Sequence, residues 1–141
     1  MRPTPDTEIT DLETDGRLPS GPWEGFYIQW GSRGRQDLGL TFRSGEVLGG
    51  GSDGGGPFAV TGRYDALTGR CSMAKKYADY QVEYDGYIDD NGIWGRWVIR
   101  YWPRAADDKG HFHIWPVGRG AESAESLRAE TPEVRQAELA R

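Results

Sequence analysis

The stretch from Tyr80 to Trp102, YQVEYDGYIDDNGIWGRWVIRYW, predicts the fold of this chain. Asn91-Gly92 is a strong hairpin signal, because a type I′ turn needs two central residues with positive φ. With a two-residue loop at that position, Asp90 pairs with Ile93 and the strands on either side run antiparallel. The stretch therefore predicts a β-hairpin.

The two faces of this hairpin differ in chemistry. One face sets Val82, Tyr84, Gly86 and Ile88 against Tyr101, Ile99, Trp97 and Gly95. The other face sets Glu83 opposite Arg100 and Tyr87 opposite Arg96, with Asp85 diagonal to both arginines. A slip of one residue would mix the two faces, so the turn and the side-chain pattern predict the same ladder. We expect an inner face of aromatic rings set against glycine and an outer face of paired charges.

Length and composition indicate one cytoplasmic β-domain. The chain has 141 residues, enough for one domain with a core. Its 21 glycines follow no collagen-like period, and 12% of its residues are aromatic, which is typical of a turn-rich β protein. A single cysteine, Cys71, fits a reducing compartment. The start, MRPTPDTEIT, lacks an apolar signal region, and no run approaches the roughly 20 apolar residues of a membrane helix.

The net charge of −5 comes from the two ends of the chain. Residues 1–20 and 121–141 carry five acids each, with two and three arginines respectively, whereas residues 21–120 carry twelve acids and twelve bases. Binding to nucleic acid needs a basic stripe, and the balanced charge of residues 21–120 gives no sign of one. We therefore expect no nucleic acid as a partner. We also expect no membrane, because no apolar run is long enough.

Eight short strands are predicted in all. Outside the hairpin they cover Trp23–Trp30, Gln36–Arg43, Glu46–Gly51, Pro57–Asp65, Arg70–Tyr77 and Gly110–Val117, with residues 31–35 (GSRGR) as a loop. Short strands joined by tight turns favour an antiparallel barrel or sandwich. Glycines inside the strands permit tight coiling and favour the barrel. The interior of an eight-stranded barrel is either filled by side chains or holds one small ligand.

Alternation determines the buried face of one strand pair but not that of the first strand. Around Ser44-Gly45, the residues predicted to be buried are Leu38, Leu40 and Phe42 against Gly51, Gly49 and Val47. In the first strand, alternation leaves two candidate faces, one with Trp23 and Tyr27 and one with Phe26 and Ile28.

The chain divides into three predicted parts. Residues 1–20 are polar and aperiodic, which is typical of a mobile arm. Residues 21–120 form the barrel. Residues 121–141 are helix-prone, with Thr131-Pro132 as a plausible N-cap and first helical residue.

The barrel region resembles the calycins, the superfamily of lipocalins, fatty-acid-binding proteins and avidin-like proteins. Gly21-Pro22-Trp23 is similar to their GxW opening. A group of largely uncharacterised calycin-like domains has the motifs GxGxDxxGxF, GxY, KxY, VxYxG and GIxGxW. The matching residues here are Gly49, Gly51, Asp53, Gly56, Phe58, Gly62, Tyr64, Lys75, Tyr77, Val82, Tyr84, Gly86, Gly92, Ile93, Gly95 and Trp97. The resemblance covers about residues 21–117. It implies an up-and-down antiparallel barrel and turns Trp23 and Tyr27 inward.

Catalytic and metal-binding patterns are weak in this sequence. The run Gly49–Gly56 lacks the Lys-Ser/Thr and the helix of a phosphate loop, so we interpret it as turn geometry in which Asp53 bonds its own loop. His111 and His113 are two apart and have no nearby cysteine or third histidine, so surface positions are expected. Cys71 falls on an apolar face and is expected in the core. No catalytic residue, metal ligand or cofactor site is assigned.

Lys75 is the exception, because alternation turns it inward beside Cys71, Met73 and Tyr77. An inward lysine must reach the rim, pair with an acid or meet an anionic group of a ligand. The predicted ligand-binding residues are Lys75, Tyr27, Gln29, Tyr64, Tyr77, Tyr84, Trp97 and Tyr101. A few polar groups in an aromatic cavity are typical of a small-ligand pocket. Tyrosines that reach water at the barrel ends are the alternative.

Three functions are compatible with this pattern. The first is a non-enzymatic binding protein that holds a small amphipathic or anionic ligand, or a peptide end, with Lys75 at the anionic group. The second is a protein–protein interaction module with a filled barrel, in which residues 121–141 dock a partner. The third, which the calycin resemblance adds, is an isomerase or cyclase with Lys75 as the titrating group.

Overall fold

The computed structural model describes residues 11–100 and 108–118. Its strands are β1 (Gly21–Gln29), β2 (Ser32–Arg43), β3 (Glu46–Asp53), β4 (Gly56–Asp65), β5 (Arg70–Lys76), β6 (Gln81–Asp89), β7 (Gly92–Arg100) and β8 (Asp108–Pro116). Each strand pairs antiparallel with the next, and β8 pairs with β1, so the sheet closes into a barrel. The predicted all-β, up-and-down, eight-stranded barrel is confirmed. The helix predicted in 121–141 lies outside the described residues.

The β2–β3 hairpin has the predicted register. Leu38 pairs with Gly51, Leu40 with Gly49, and Phe42 with Val47. Phe42 and Val47 are both fully buried. The turn at Ser44-Gly45 carries positive φ at both residues, 50° and 80°. This is the backbone that a two-residue hairpin loop requires, so here the turn chemistry determined the register.

The predicted register of the β6–β7 hairpin is wrong by two residues. Tyr84 pairs with Trp97 rather than Ile99, and the turn residues are Asp90 and Asn91. The reason is that only Gly92 adopts positive φ, at 118°, so Asn91-Gly92 does not form a type I′ turn. Because the shift is two residues, every side chain keeps its predicted face.

The charged outer face of this hairpin changes partners with the register. Asp85 lies opposite Arg96 and forms an ion pair with Arg70 of β5 at 3.0 Å. Tyr87 lies opposite Trp94, not Arg96. The network is exposed, so its contribution to stability is small.

Residues 11–20 cover one end of the barrel. Leu18 is fully buried in the core, and Leu12 forms a single antiparallel bridge with Arg43. The Tyr64 hydroxyl donates a hydrogen bond of 2.8 Å to Glu13. Half of the predicted mobile arm, residues 1–20, is therefore docked, because Leu18 supplies apolar surface that the end of the core buries. Residues 1–10 lie outside the described part of the chain.

Aromatic rings lie over glycines inside the barrel. Gly34 pairs with Tyr27, and a Cβ on Gly34 would stand 2.1 Å from Cζ of that ring. Gly110 pairs with Trp97, and a Cβ there would stand 2.8 Å from the indole carbons Cε2 and Cζ2. These glycines therefore make room for rings on the neighbouring strand.

The predicted GSRGR loop is shorter than expected. Its residues 32–35 belong to β2, which pairs with β1 as far as Gln29. His113 is not a surface residue but is fully buried, with Nε2 2.7 Å from the Asn91 carbonyl oxygen and its ring between Phe26 and Trp115. Large rings on β1 and β8 make the outer face of these strands a second apolar cluster, which alternation around the barrel interior did not indicate.

The resemblance predicted the inward face of β1 correctly. Trp23 is buried, and Tyr27 packs against the main core from a partly exposed position. Within residues 11–100 and 108–118, no helix is long and apolar enough to cross a membrane.

Candidate functional site

A cavity of about 330 Å³ opens at the barrel end opposite to Leu18. We call it the mouth cavity. It is lined by Tyr27, Gln29, Asp53, Gly54, Gly55, Lys75, Tyr77, Tyr80, Val82, Tyr84, Trp97 and Ile99. These residues come from the ends of β1, β3 and β5 and the facing ends of β6 and β7, together with two turns. Six predicted site residues meet here, namely Lys75, Tyr27, Gln29, Tyr77, Tyr84 and Trp97.

The rest of the interior is packed with side chains. Tyr84 lies at the base of the mouth cavity, and its ring centroid is 4.3 Å from that of Phe112. Further down, Trp23 packs on Phe42 at 5.3 Å, and both are almost completely buried. In the described residues the barrel is thus filled at one end and hollow at the other.

The Lys75 ammonium group is buried at the wall of the mouth cavity. Nζ donates to Asp53 Oδ2 at 2.8 Å, to Gln36 Oε1 at 3.0 Å and to the Tyr84 hydroxyl at 3.0 Å. Three donors meet three acceptors, which satisfies the ammonium group completely. Nζ also lies 4.2 Å from the centroid of the Phe58 ring, within the range of a cation–π contact.

Asp53 connects the β3–β4 turn to strand β5. Its Oδ2 accepts hydrogen bonds from Lys75 and from the Tyr77 hydroxyl, and its Oδ1 accepts one from the Gly55 amide at 2.8 Å. The predicted bond of Asp53 to its own loop is present. Its second role, as the counter-ion of Lys75, was not predicted.

Gln36 holds the other side of the ammonium group. Its amide nitrogen donates to the Phe26 carbonyl at 3.1 Å, so its oxygen faces Lys75 and the Tyr84 hydroxyl. Gln36 is fully buried. Its position two residues before Leu38 on the buried face of β2 is the signal that could have identified it.

Burial shifts the pKa values of this cluster. Desolvation lowers the pKa of Lys75, and the hydrogen bond and charge of Asp53 oppose that shift. Desolvation raises the pKa of Tyr77, with a further rise from Asp53, and raises the pKa of Tyr84. These phenols stay neutral and act as donors or acceptors.

Aromatic rings form the upper walls of the mouth cavity. Tyr77 and Tyr80 are stacked, with centroids 4.4 Å apart and planes at 7°. Tyr27 meets Trp97 edge to face at 6.5 Å. Trp97 is 4% exposed, and its Nε1 is a buried donor with no hydrogen-bond partner in the described part of the chain.

Tyr64 is a predicted site residue that does not join the cavity. It lies at the covered end, where its ring packs on Phe42 and its hydroxyl donates to Glu13. Tyr101 lies outside the described residues. Conversely, Asp53, Gln36 and Tyr80 belong to the site and were not predicted. Asp53 and Tyr80 lie at strand ends, where alternation no longer indicates direction.

A wider groove of about 1110 Å³ runs along the outer face of β4 to β8. Exposed charged side chains, among them Arg63, Asp85 and Arg96, line part of it. No buried polar network like that around Lys75 accompanies it in the described residues, so we place the candidate site in the mouth cavity. The described residues also contain no group of three or more side chains suited to a metal ion. Cys71 is buried in the core, as expected.

Comparisons with protein-family models, curated proteins and solved structures find no match to this chain. The barrel itself is compatible with a calycin-like fold, and membership of that superfamily stays a prediction.

Proposed function

We propose that this chain is a non-enzymatic binding protein whose mouth cavity holds a small amphipathic ligand or a peptide end. One observation carries the proposal. The barrel interior is packed at the Leu18 end but leaves about 330 Å³ open at the other, between aromatic rings and a buried polar network. Small-ligand sites combine apolar walls with a few placed polar groups in this way.

The cost of the polar network supports the same proposal. Lys75 and Asp53 are removed from water at the cavity wall, where apolar side chains of similar volume would stabilise a barrel equally well. The pair instead fixes the Gly54-Gly55 turn over the cavity through Asp53. A cavity whose rim is held in place binds its ligand without ordering that rim at the time of binding.

An isomerase or cyclase activity is a weaker proposal. It would use Lys75 as a proton donor or acceptor, and its lowered pKa fits that role. However, the Lys75 ammonium group is already engaged with Asp53, Gln36 and Tyr84. Proton transfer to a substrate would first have to break one of these bonds. Binding needs no such step.

A fragment screen with matched variants tests the binding function. Val82 lines the mouth cavity, whereas Val98 lies on the outer face of β7. We expect saturation-transfer NMR to find aromatic fragments that bind the wild-type chain and the Val98→Phe variant. The Val82→Phe variant should lose them, because the larger ring fills the cavity. If no fragment responds to Val82→Phe while all three proteins remain folded, the proposal is wrong.

A partner-docking role of residues 121–141 is a separate proposal. Nothing in the described residues bears on it, since this segment lies outside them. Truncation after Gly120 tests it. With the truncated chain as bait, a pull-down from the native cell extract should no longer recover the partner that the full chain recovers. Fragment binding at the mouth cavity should persist. If the truncated chain still captures the same partner, the interaction-module hypothesis is wrong.

A further inference from the structure

We infer that the polar group of the ligand is an uncharged hydrogen-bond acceptor, carried on a planar aromatic body and bound by the Trp97 indole N–H. This inference rests on the proposed binding function and adds the chemical class of the ligand.

The charge balance of the mouth cavity favours an uncharged polar group over an anion or a cation. Lys75 is the one cationic side chain among the described residues that line the cavity. Its three protons are donated to Asp53, Gln36 and Tyr84, and Asp53 neutralises its charge at 2.8 Å. A carboxylate ligand would have to displace Asp53, which also holds Tyr77 and the Gly55 amide. A cationic ligand would have to compete with Lys75 for the same carboxylate.

Trp97 lines the mouth cavity and carries a polar group whose hydrogen-bonding capacity is unmet. Its Nε1 is closed to solvent and has no acceptor among the described residues. A buried donor without a partner is unfavourable, and the large majority of such groups in native proteins are paired. The indole lies close against β8, because Gly110 has no side chain to push it away. Because Nε1 is closed to a water-sized probe, an acceptor pairs this donor by moving the partly buried Tyr27 ring away from Trp97, which it meets edge to face.

The aromatic lining of the mouth cavity favours a flat ligand body. The stacked pair Tyr77 and Tyr80 lines it together with the rings of Tyr27 and Trp97. Val82 and Ile99 add apolar surface. Aromatic rings favour offset-stacked or edge-to-face neighbours. A fused aromatic ring system with a carbonyl group fits these walls and offers the acceptor.

Three matched probes test the inference, namely acetylnaphthalene, naphthoate and ethylnaphthalene. They share the ring system and present a neutral acceptor, an anion and no acceptor. We expect acetylnaphthalene to bind about tenfold more tightly than the other two, the difference that one hydrogen bond can make. In ¹H–¹⁵N NMR spectra of the labelled protein, it should shift the Trp97 indole resonance downfield.

Two variants separate the indole N–H from the ring. Trp97→Phe keeps an aromatic side chain and removes the donor, so the preference for acetylnaphthalene should vanish. Trp94→Phe removes an indole on the outer face of the same strand, which donates to Asp89 at 2.7 Å, and should leave the preference intact. If Trp97→Phe does not fold, the indole shift in the wild-type protein decides the question alone.

The outcomes distinguish this inference from the function on which it rests. Naphthoate binding as tightly as acetylnaphthalene, or acetylnaphthalene binding without a shift of the Trp97 indole, overturns the inference and leaves the binding function standing. If none of the three probes binds but the fragment screen succeeds, the inference is also overturned and the binding function stands. Failure of both the probes and the screen overturns the binding function as well.

Discussion

Lys75 Nζ and Asp53 Oδ2 form an ion pair at 2.8 Å, and only 3% of each side chain is exposed. The pair joins the end of β3 to β5 across the intervening strand β4. It also places a charge of each sign beneath the mouth cavity, where neither is available to solvent. The pair is therefore both a structural connection and the main polar feature of the candidate site.

Replacing one partner of this pair should be costly. In Asp53→Asn the Lys75 ammonium group stays buried without a counter-charge, so we expect the free energy of unfolding to fall by about 3–5 kcal/mol. Asp79→Asn, at an exposed acid of the β5–β6 connection, should change it by less than about 0.5 kcal/mol. Urea unfolding measures both. Equal effects of the two variants would mean that the buried pair does not stabilise the barrel.

The glycine beneath Tyr27 should not tolerate a methyl group. A Cβ on Gly34 would lie 2.1 Å from the Tyr27 ring, whereas a Cβ on Gly39 of the same strand meets nothing within 4 Å. We expect Gly34→Ala to displace the outer end of the Tyr27 ring toward the open cavity and to lower the free energy of unfolding by about 1 kcal/mol, the low end of overpacking costs. Gly39→Ala should be neutral or slightly stabilising. Similar melting temperatures for the two variants would contradict the close contact between Gly34 and Tyr27.

Leu18 should contribute to stability although it lies outside the strands. It is fully buried, so Leu18→Ala should lower the free energy of unfolding by about 2–5 kcal/mol. Leu67 is 97% exposed in the β4–β5 turn, and Leu67→Ala should have almost no effect. Chemical denaturation compares the two. A neutral Leu18→Ala would show that residues 11–20 do not close the barrel in solution.

The fold should lose stability in alkali. Burial raises the pKa of Tyr64 to about 12, from 10.0, and that of Cys71 to about 12, from 9.0. The folded state keeps these protons where the unfolded chain releases them, so this contribution is complete below about pH 9 and is lost as the pH rises towards 12. Burial lowers the pKa of Lys75, so its contribution to the free energy of unfolding increases, rather than decreases, as the pH rises.

A comparison of variants isolates the tyrosine contribution from that of Lys75. Between pH 10 and about 12, wild-type stability should fall more steeply with pH than that of Tyr64→Phe. Leu67→Ala alters an exposed side chain that carries no titratable group and should keep the wild-type slope. Urea midpoints at several pH values give the slopes. Parallel curves for wild type and Tyr64→Phe would show that the Tyr64 phenol does not retain its proton in the folded barrel.

Sequence patterns predicted the directions of side chains better than their partners. Alternation turned Lys75 and Trp97 inward correctly, because successive residues of a strand point to opposite faces. The partner of Lys75 could not be found in this way. Asp53 lies 22 residues earlier, at a strand end, and reaches Lys75 only because β4 separates their strands by one position in the closed sheet.

Turn chemistry was decisive at one hairpin and misleading at the other. Ser44-Gly45 provides two residues with positive φ and places β2 against β3 in the predicted register. Asn91-Gly92 has a similar pattern, yet Asn91 does not adopt positive φ, and the strands pair two residues away from the prediction. Both alternatives keep the apolar face inward, so the hydrophobic pattern alone could not choose between them.

The separation of the packed end from the mouth cavity affects which substitutions the chain can accept. Leu18, Trp23 and Phe42 at the base do not line the cavity, whereas four residues of the β3–β4 and β5–β6 turns do, namely Gly54, Gly55, Tyr77 and Tyr80. Substitutions at these turn residues therefore change the lining of the cavity while the packing of the base stays the same. The buried Lys75–Asp53 pair is the exception at this end of the barrel, because a substitution there changes the site and the stability of the fold together.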